Sequence, residues 1–108
     1  MRHYEFRQYD LAPGSRDSVR RYVHEVSKPT FERHGIKMIG PWEVIAGTTN
    51  TIRYILEWDS DQHREQAWEA FYADEEYQRG RAEVFQSGEV VLRTHIEFWK
   101  DMPLPPSS

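Results

Sequence analysis

The sequence predicts an α+β fold of the ferredoxin-like class: a four-stranded antiparallel sheet with its helices on one face, in the order β-α-β-β-α-(α)-β. Three observations predict it. Alternation of apolar and polar residues with period 2 marks strands near both ends of the chain, over 2–9 and 89–100. The turn Gly47-Thr48-Thr49-Asn50 between two apolar runs marks a hairpin in the middle. Helical spacing fills the two remaining intervals, so each half reads as strand-helix-strand, which one sheet layer and one helix layer can bury together.

Taken in order, residues 2–9 set Tyr4 and Phe6 against Glu5 and Arg7, and Pro13-Gly14 closes this strand, whose end is expected before Leu11. Ser15 suits a helix N-cap; Val19, Tyr22, Val23 and Val26 follow at helical spacing to about His34, with Gly35 as the stop. Pro29 removes one backbone hydrogen bond and disfavours helical geometry at Lys28, so a kink is expected there. The run 36–46 is apolar on both faces and is interrupted by Gly40-Pro41, the mark of a bulge or an edge; residues 51–58 form its hairpin partner. Ser60 or Asp61 caps a second helix carrying Ala67, Trp68 and Phe71. Asp74, followed by Glu75 and Glu76, opens a short third helix that packs through Tyr77, Val84 and Phe85 and ends at Gly88. The organisation expected is a single domain over 1–100 and an extended Pro-rich tail over 101–108.

At 108 residues the chain supports one core. The absence of cysteine excludes a disulfide framework, a thiol nucleophile and thiolate metal sites. A net charge of −4 argues against general nucleic-acid binding. No apolar run of membrane-spanning length and no signal-peptide pattern occurs, so a cytoplasmic protein without a membrane span is expected. Mean hydropathy is low at −0.85, yet four Trp, six Tyr and five Phe carry a large apolar payload in rings. Residues 1–37 are net basic and the remainder net acidic, an asymmetry suited to pairing within the chain or between subunits.

Strand parity predicts two unlike sheet faces. Tyr4, Phe6, Ile52, Tyr54, Leu56, Trp58, Val90, Leu92, Ile96 and Phe98 are expected beneath the helices. Glu5, Arg7, Arg53, Ile55, Glu57, Val91, Arg93, His95, Glu97 and Trp99 are expected opposite, a mixture of both charges and apolar residues that suits a face closed by a second subunit. On this face His95 can accept a proton from an acidic C–H or a phenol. Arg93, Arg7 and Arg53 can stabilise the resulting anion, and Glu57 adds a carboxylate. The same residues also read as cross-strand charge ladders that join strands or subunits. Trp42, just after Gly40-Pro41, and Trp99, beside His95, could line a cavity mouth or a subunit seam. No metal site is expected, because His95 and Glu97 have no second histidine fixed near them.

The segments RHGIKMIGPWEV (33–44), LEWDSDQHREQAWEAFYADEEYQ (56–78) and YEFRQYDLAPG (4–14) together resemble the NIPSNAP family over most of residues 2–100. The resemblance implies a dimeric α+β barrel, in which two ferredoxin-like protomers face their sheets together. It fixes no reaction, since the wider superfamily includes cofactor-free monooxygenases, isomerases and cyclases. Glu75-Glu76-Tyr77 stands where family members often carry a Pro-Glu-Trp stretch. The expected function is a small cofactor-independent enzyme acting by proton transfer on a hydrophobic or aromatic acid-bearing molecule. Its catalytic residues are His95, Arg93 and Glu57, and Arg7, Arg53, Trp42 and Trp99 bind the substrate. The alternative is a non-catalytic dimeric binding or adaptor module whose charged face is interface only.

Overall fold

The computed structural model describes residues 2–86, 88 and 90–106. Strands β1 (His3–Leu11), β2 (Lys37–Glu43), β3 (Thr51–Trp58) and β4 (Val91–Lys100) form one antiparallel sheet in the order β2-β3-β1-β4, the predicted ferredoxin-like topology. Helices α1 (Arg16–Tyr22), α2 (Lys28–Arg33), α3 (Asp61–Ala73) and α4 (Glu75–Val84) pack on one face, with a π-helical segment, Val23–Ser27, joining α1 to α2. Val26, Phe31, Ile36, Tyr54, Leu56, Trp58, Ala67, Phe71 and Tyr77 make the main core, and Leu11, Val19 and Ile52 a smaller one.

The local devices are those the sequence announces. Ser60 Oγ accepts the His63 N–H at 3.0 Å, and Asp74 accepts the Tyr77 N–H at 2.8 Å, so each satisfies an orphan donor of its helix. Ser15 also precedes a helix, but its hydroxyl donates back to the Ala12 carbonyl instead of capping. Around Pro29 the expected kink takes the form of the π-helical segment. Proline then stands at the second residue of α2, directly after the π-helical turns that accommodate it, and Thr30 Oγ1 donates to the Val26 carbonyl. Gly80 lets α4 sit directly on that segment, since a Cβ there would lie 2.9 Å from a Val26 methyl. The Gly40-Pro41 bond is cis, and the β2–β3 register shifts between Ile39 and Trp42, the bulge expected at that dipeptide.

The structure departs from the predicted faces chiefly at β1. Glu5 stands opposite Leu56, Arg7 opposite Tyr54 and Tyr9 opposite Ile52, and these β3 residues lie beneath the helices. Glu5, Arg7, Tyr9 and Leu11 therefore face the helices, while Tyr4 and Phe6 face away, the reverse of the expectation. The strand also runs one residue further, through Leu11. In β4, Arg93, His95, Glu97 and Trp99 take the open face as expected, opposite Asp10, Gln8, Phe6 and Tyr4. A register shift between Asp10 and Leu11 turns Val91 onto the helix side against Leu11, rather than onto the mixed face. Leu92, Ile96 and Phe98 are not core: they are 66, 40 and 62% exposed on an edge strand, where α3 covers Phe98 only with the Arg64 guanidinium, 4.5 Å from the ring centre. β2 stops at Glu43 instead of 46. The predicted first residue of the last strand, Glu89, and the tail's Ser107 and Ser108 lie outside the described residues.

Candidate functional site

Between sheet and helices, β1 carries a charged hub into the core. Glu5 is buried to 1% exposure and accepts hydrogen bonds from the indole N–H groups of Trp58 and Trp68, each at 3.1 Å, and from Arg7 Nε. Three donors thereby compensate one desolvated carboxylate. The Arg7 guanidinium lies 4.3 Å from the centre of the Trp68 ring, and its Nη1 donates to the Tyr9 hydroxyl at 3.3 Å. The Tyr72 phenol stands beside the same guanidinium, whose charge opposes the upward push of burial on it.

Arg7 opens onto a cleft of about 410 Å³ between β1, β4 and the helices, walled by Tyr9, Tyr22, Tyr72, Tyr77, Phe85 and Arg81, with Arg93 at the β4 side. No carboxylate lines it among the described residues. Arg81 makes no ion pair among the described residues, whereas Arg93 is held by Asp10 at 3.1 Å. Behind the cleft a chamber of about 40 Å³ shares Tyr9, Tyr22, Tyr72 and Tyr77 as walls and adds Tyr54 and Ser27. Burial pushes the Tyr54, Tyr22, Tyr72 and Tyr77 phenols above their ordinary range, so all four are neutral hydroxyls at physiological pH.

The open sheet face is organised differently. His95 Nε2 is hydrogen-bonded to Glu97 Oε2, and the Trp99 indole donates to Glu97 Oε1 at 2.9 Å; these two hydrogen bonds, His95 first, hold the Glu97 carboxyl below the usual carboxylate range. Trp99 stacks on Phe6 at 5.1 Å between ring centres, and His95 meets the same ring edge-on at 6.2 Å. Glu57 is paired with Arg2 at 3.1 Å and Lys37 at 3.0 Å. Arg53 sits mid-face with its Nε buried and unpartnered among the described residues, opposite Trp42, which is 49% exposed. No cluster of three or more His, Asp or Glu placed to hold a metal occurs among the described residues.

The NIPSNAP family model matches residues 4–106. The chain belongs to the NIPSNAP family. Among solved structures, an uncharacterized NIPSNAP domain protein from Burkholderia xenovorans is similar with a TM-score of 0.78 at 19% identity, covering 97% of this chain and 99% of that one. A NIPSNAP family protein from Agrobacterium tumefaciens has a TM-score of 0.81 at 13% identity, covering 96% and 89%. A dimeric ferredoxin-like protein from an uncultured marine organism has a TM-score of 0.67 at 12% identity, covering 99% and 93%. These likenesses are of fold. No curated protein sequence matches.

Within this NIPSNAP fold the residues expected to act together divide between two sides of the sheet. His95, Arg93, Glu57, Arg53, Trp42 and Trp99 belong to the open face, but Glu57 is engaged near β2 while His95 and Arg93 lie on β4, across β1 from it. Arg7 is turned to the helix side, because register with β3 sets its parity; it cannot join His95. The residues sequence reasoning passed over are Glu5 as a buried hub and Tyr9, Tyr72 and Tyr77 as cleft and chamber walls; Tyr22 and Tyr54 also read as possible pocket rings, with plain core the preferred reading. One signal existed: Glu5, Arg7, Tyr9 and Leu11 share a parity, and buried Trp58 and Trp68 need an acceptor for their indole N–H groups.

Proposed function

We propose that this NIPSNAP protein binds a small hydrophobic or aromatic acid in the cleft between sheet and helices, and acts on it by proton transfer without a cofactor. The carrying observation is the wall: ring-lined, with cationic Arg7 at its base and Arg81 at its rim, and without a carboxylate among the described residues. Such a surface favours a flat anion, its ring against Tyr72, Tyr77 and Phe85 and its carboxylate or enolate oxygen at Arg7. The guanidinium is already oriented by Glu5 and stacked on Trp68, so the anion meets a donor that needs no reorganisation. Tyr9, hydrogen-bonded to both Arg7 and Tyr54, is the group placed to pass a proton to or from the bound molecule, as an isomerase or cyclase requires.

The open face serves a homodimer. Phe6, Ile39, Ile55, Trp42 and Trp99 lie there among charges, a composition that suits a second sheet better than water. The dimeric ferredoxin-like neighbour supports the same reading. His95, Arg93 and Glu57 then belong to that seam, where a catalytic part for them requires groups from the partner.

The test uses 1-hydroxy-2-naphthoate as probe, followed by its fluorescence, and a β-keto aryl acid in D2O, followed by NMR. Wild-type protein binds the probe and exchanges the activated C–H of the keto acid. Arg7→Gln weakens binding about tenfold or more, the loss of one charge-assisted hydrogen bond, and exposed Arg81→Gln weakens it only a few-fold. Binding without exchange means a binding module. Binding indifferent to Arg7 overturns the cleft assignment.

A further inference from the structure

The chamber behind the cleft carries a hydrogen-bond account that its own side chains cannot close. The Tyr9 and Tyr54 hydroxyl oxygens are 2.6 Å apart, and those of Tyr22 and Tyr77 are 2.8 Å apart. In each pair one hydroxyl donates and the other accepts, which leaves the acceptor's own proton without an acceptor in the pair. Reversing either bond moves the spare proton to the other ring but does not remove it. Arg7 Nη1 takes up a lone pair on Tyr9 and so contributes a donor, not an acceptor. Burial keeps Tyr54, Tyr22 and Tyr77 protonated, so ionisation does not relieve the excess. The rings of both pairs line one small space, whose wall also includes Ser27, a hydroxyl with no hydrogen bond among the described residues; three of them, Tyr9, Tyr22 and Tyr77, line the open cleft too, and only Tyr54 has no other outlet for a spare proton. Buried donors left unpaired are costly, and native structures rarely keep them.

A chamber of about 40 Å³ exceeds the roughly 10–15 Å³ that one water requires, and it offers the two to four polar partners that hold one. Water has two lone pairs for two donors. We infer that the chamber is a water site, in which one ordered molecule accepts the spare phenolic proton of each tyrosine pair and donates to Ser27. It joins the pairs into one chain running from Arg7 through Tyr9 and Tyr54 to Tyr77 and Tyr22. This chain does not depend on the reaction proposed above. Where that reaction holds, the chain is the reservoir with which Tyr9 exchanges its proton; where the cleft only binds, the water remains as structure.

A crystal structure of the full chain, at a resolution that shows ordered solvent, tests it. The expected result is a single oxygen in the chamber, about 2.6–3.2 Å from one phenol of each pair. Crystals pressurised with xenon should show no xenon there, since a wet polar site does not yield to an apolar gas. A dry chamber, or one that takes xenon, overturns the inference, as does an oxygen reaching only one pair. In solution, Val23→Ile extends a chamber-lining side chain by one methyl and displaces the water, stranding the Tyr54 proton. The melting temperature should fall by about 4–8 °C, whereas filling a dry void would raise it, and a rise overturns the inference.

Discussion

Replacing Glu5 by alanine should be among the most damaging single changes in this protein, although the residue sits in a strand of apparently ordinary alternation. Three donors converge on its carboxylate: Arg7 Nε, and the Trp58 and Trp68 indoles at 3.1 Å. Truncation leaves the Arg7 charge without its partner in a site where its side chain is 14% exposed. Breaking a buried pair in this way costs about 3–5 kcal/mol, and each stranded indole N–H adds up to about 1–3 kcal/mol where water cannot reach it. The alanine-sized hole admits some water, so the sum is not reached, and about 3 kcal/mol is the floor. For a domain of this length that lowers the melting temperature by at least about 12 °C. Urea denaturation measures the loss directly, with Glu57→Ala as the comparison. Glu57 is also a paired strand glutamate, but its partners Arg2 and Lys37 are 57 and 66% exposed, and such pairs contribute less than about 1 kcal/mol. Glu5→Gln should fall between the two, since it keeps an acceptor oxygen for the indoles and loses the charge. If Glu5→Ala costs no more than Glu57→Ala, the carboxylate is on the open face and the register derived for β1 is wrong.

Phe98 is 62% exposed, so Phe98→Ala should cost at most about 1.5 kcal/mol by denaturation, and a cost of about 3–5 kcal/mol would show that something buries the ring. Asp74 is held well below the usual carboxylate range by the Tyr77 N–H, Arg33 and His34. Its contribution is fully present above about pH 4 and is lost as pH falls below that, so Asp74→Asn should flatten the acid limb of a stability–pH curve; an unchanged limb refutes this. The Tyr22, Tyr54, Tyr72 and Tyr77 phenols are raised by burial and favour the folded state below about pH 10. Stability should fall above that, and phenolate absorbance should show the two most strongly raised, Tyr54 and Tyr22, ionising only as the protein unfolds. Light scattering should give a dimer burying on the order of 1,500–3,000 Å², and a monomer at micromolar concentration refutes the seam.

The elements were legible in the sequence because their signals are local. Ser60 and Asp74 cap the helices they were expected to cap, Gly40-Pro41 marks the bulge, and 51–58 is a strand end to end. Parity was legible where only one face of a strand is apolar. In β3, Ile52, Tyr54, Leu56 and Trp58 leave no choice. In β1 each alternation has aromatic support, Tyr4 and Phe6 on one side and Tyr9 with Leu11 on the other, so ring content could not decide the matter. The deciding information is non-local. It is the demand of two tryptophans, 53 and 63 positions away, for an acceptor, and no window along β1 contains it.

That single parity moves the candidate site from one side of the sheet to the other. With Arg7 on the open face, the chain gathers its cations around His95, and the tyrosines are merely core. With Arg7 on the helix side, the open face keeps pairs that are largely satisfied: His95 with Glu97, Arg93 with Asp10, Glu57 with Arg2 and Lys37. The helix side gains a cation beside a phenol network, in a cleft of about 410 Å³. Burying Glu5 and Arg7 contributes little net stability compared with an apolar pair of the same volume, because desolvation offsets most of their attraction. A fold that needed only a core could have kept Phe6 and Tyr4 inward and left the charges to water. The pair makes physical sense as the holder of a rigid, half-desolvated guanidinium at the base of a ring-lined cleft, and the loss of anion binding in Arg7→Gln is where that reasoning meets measurement.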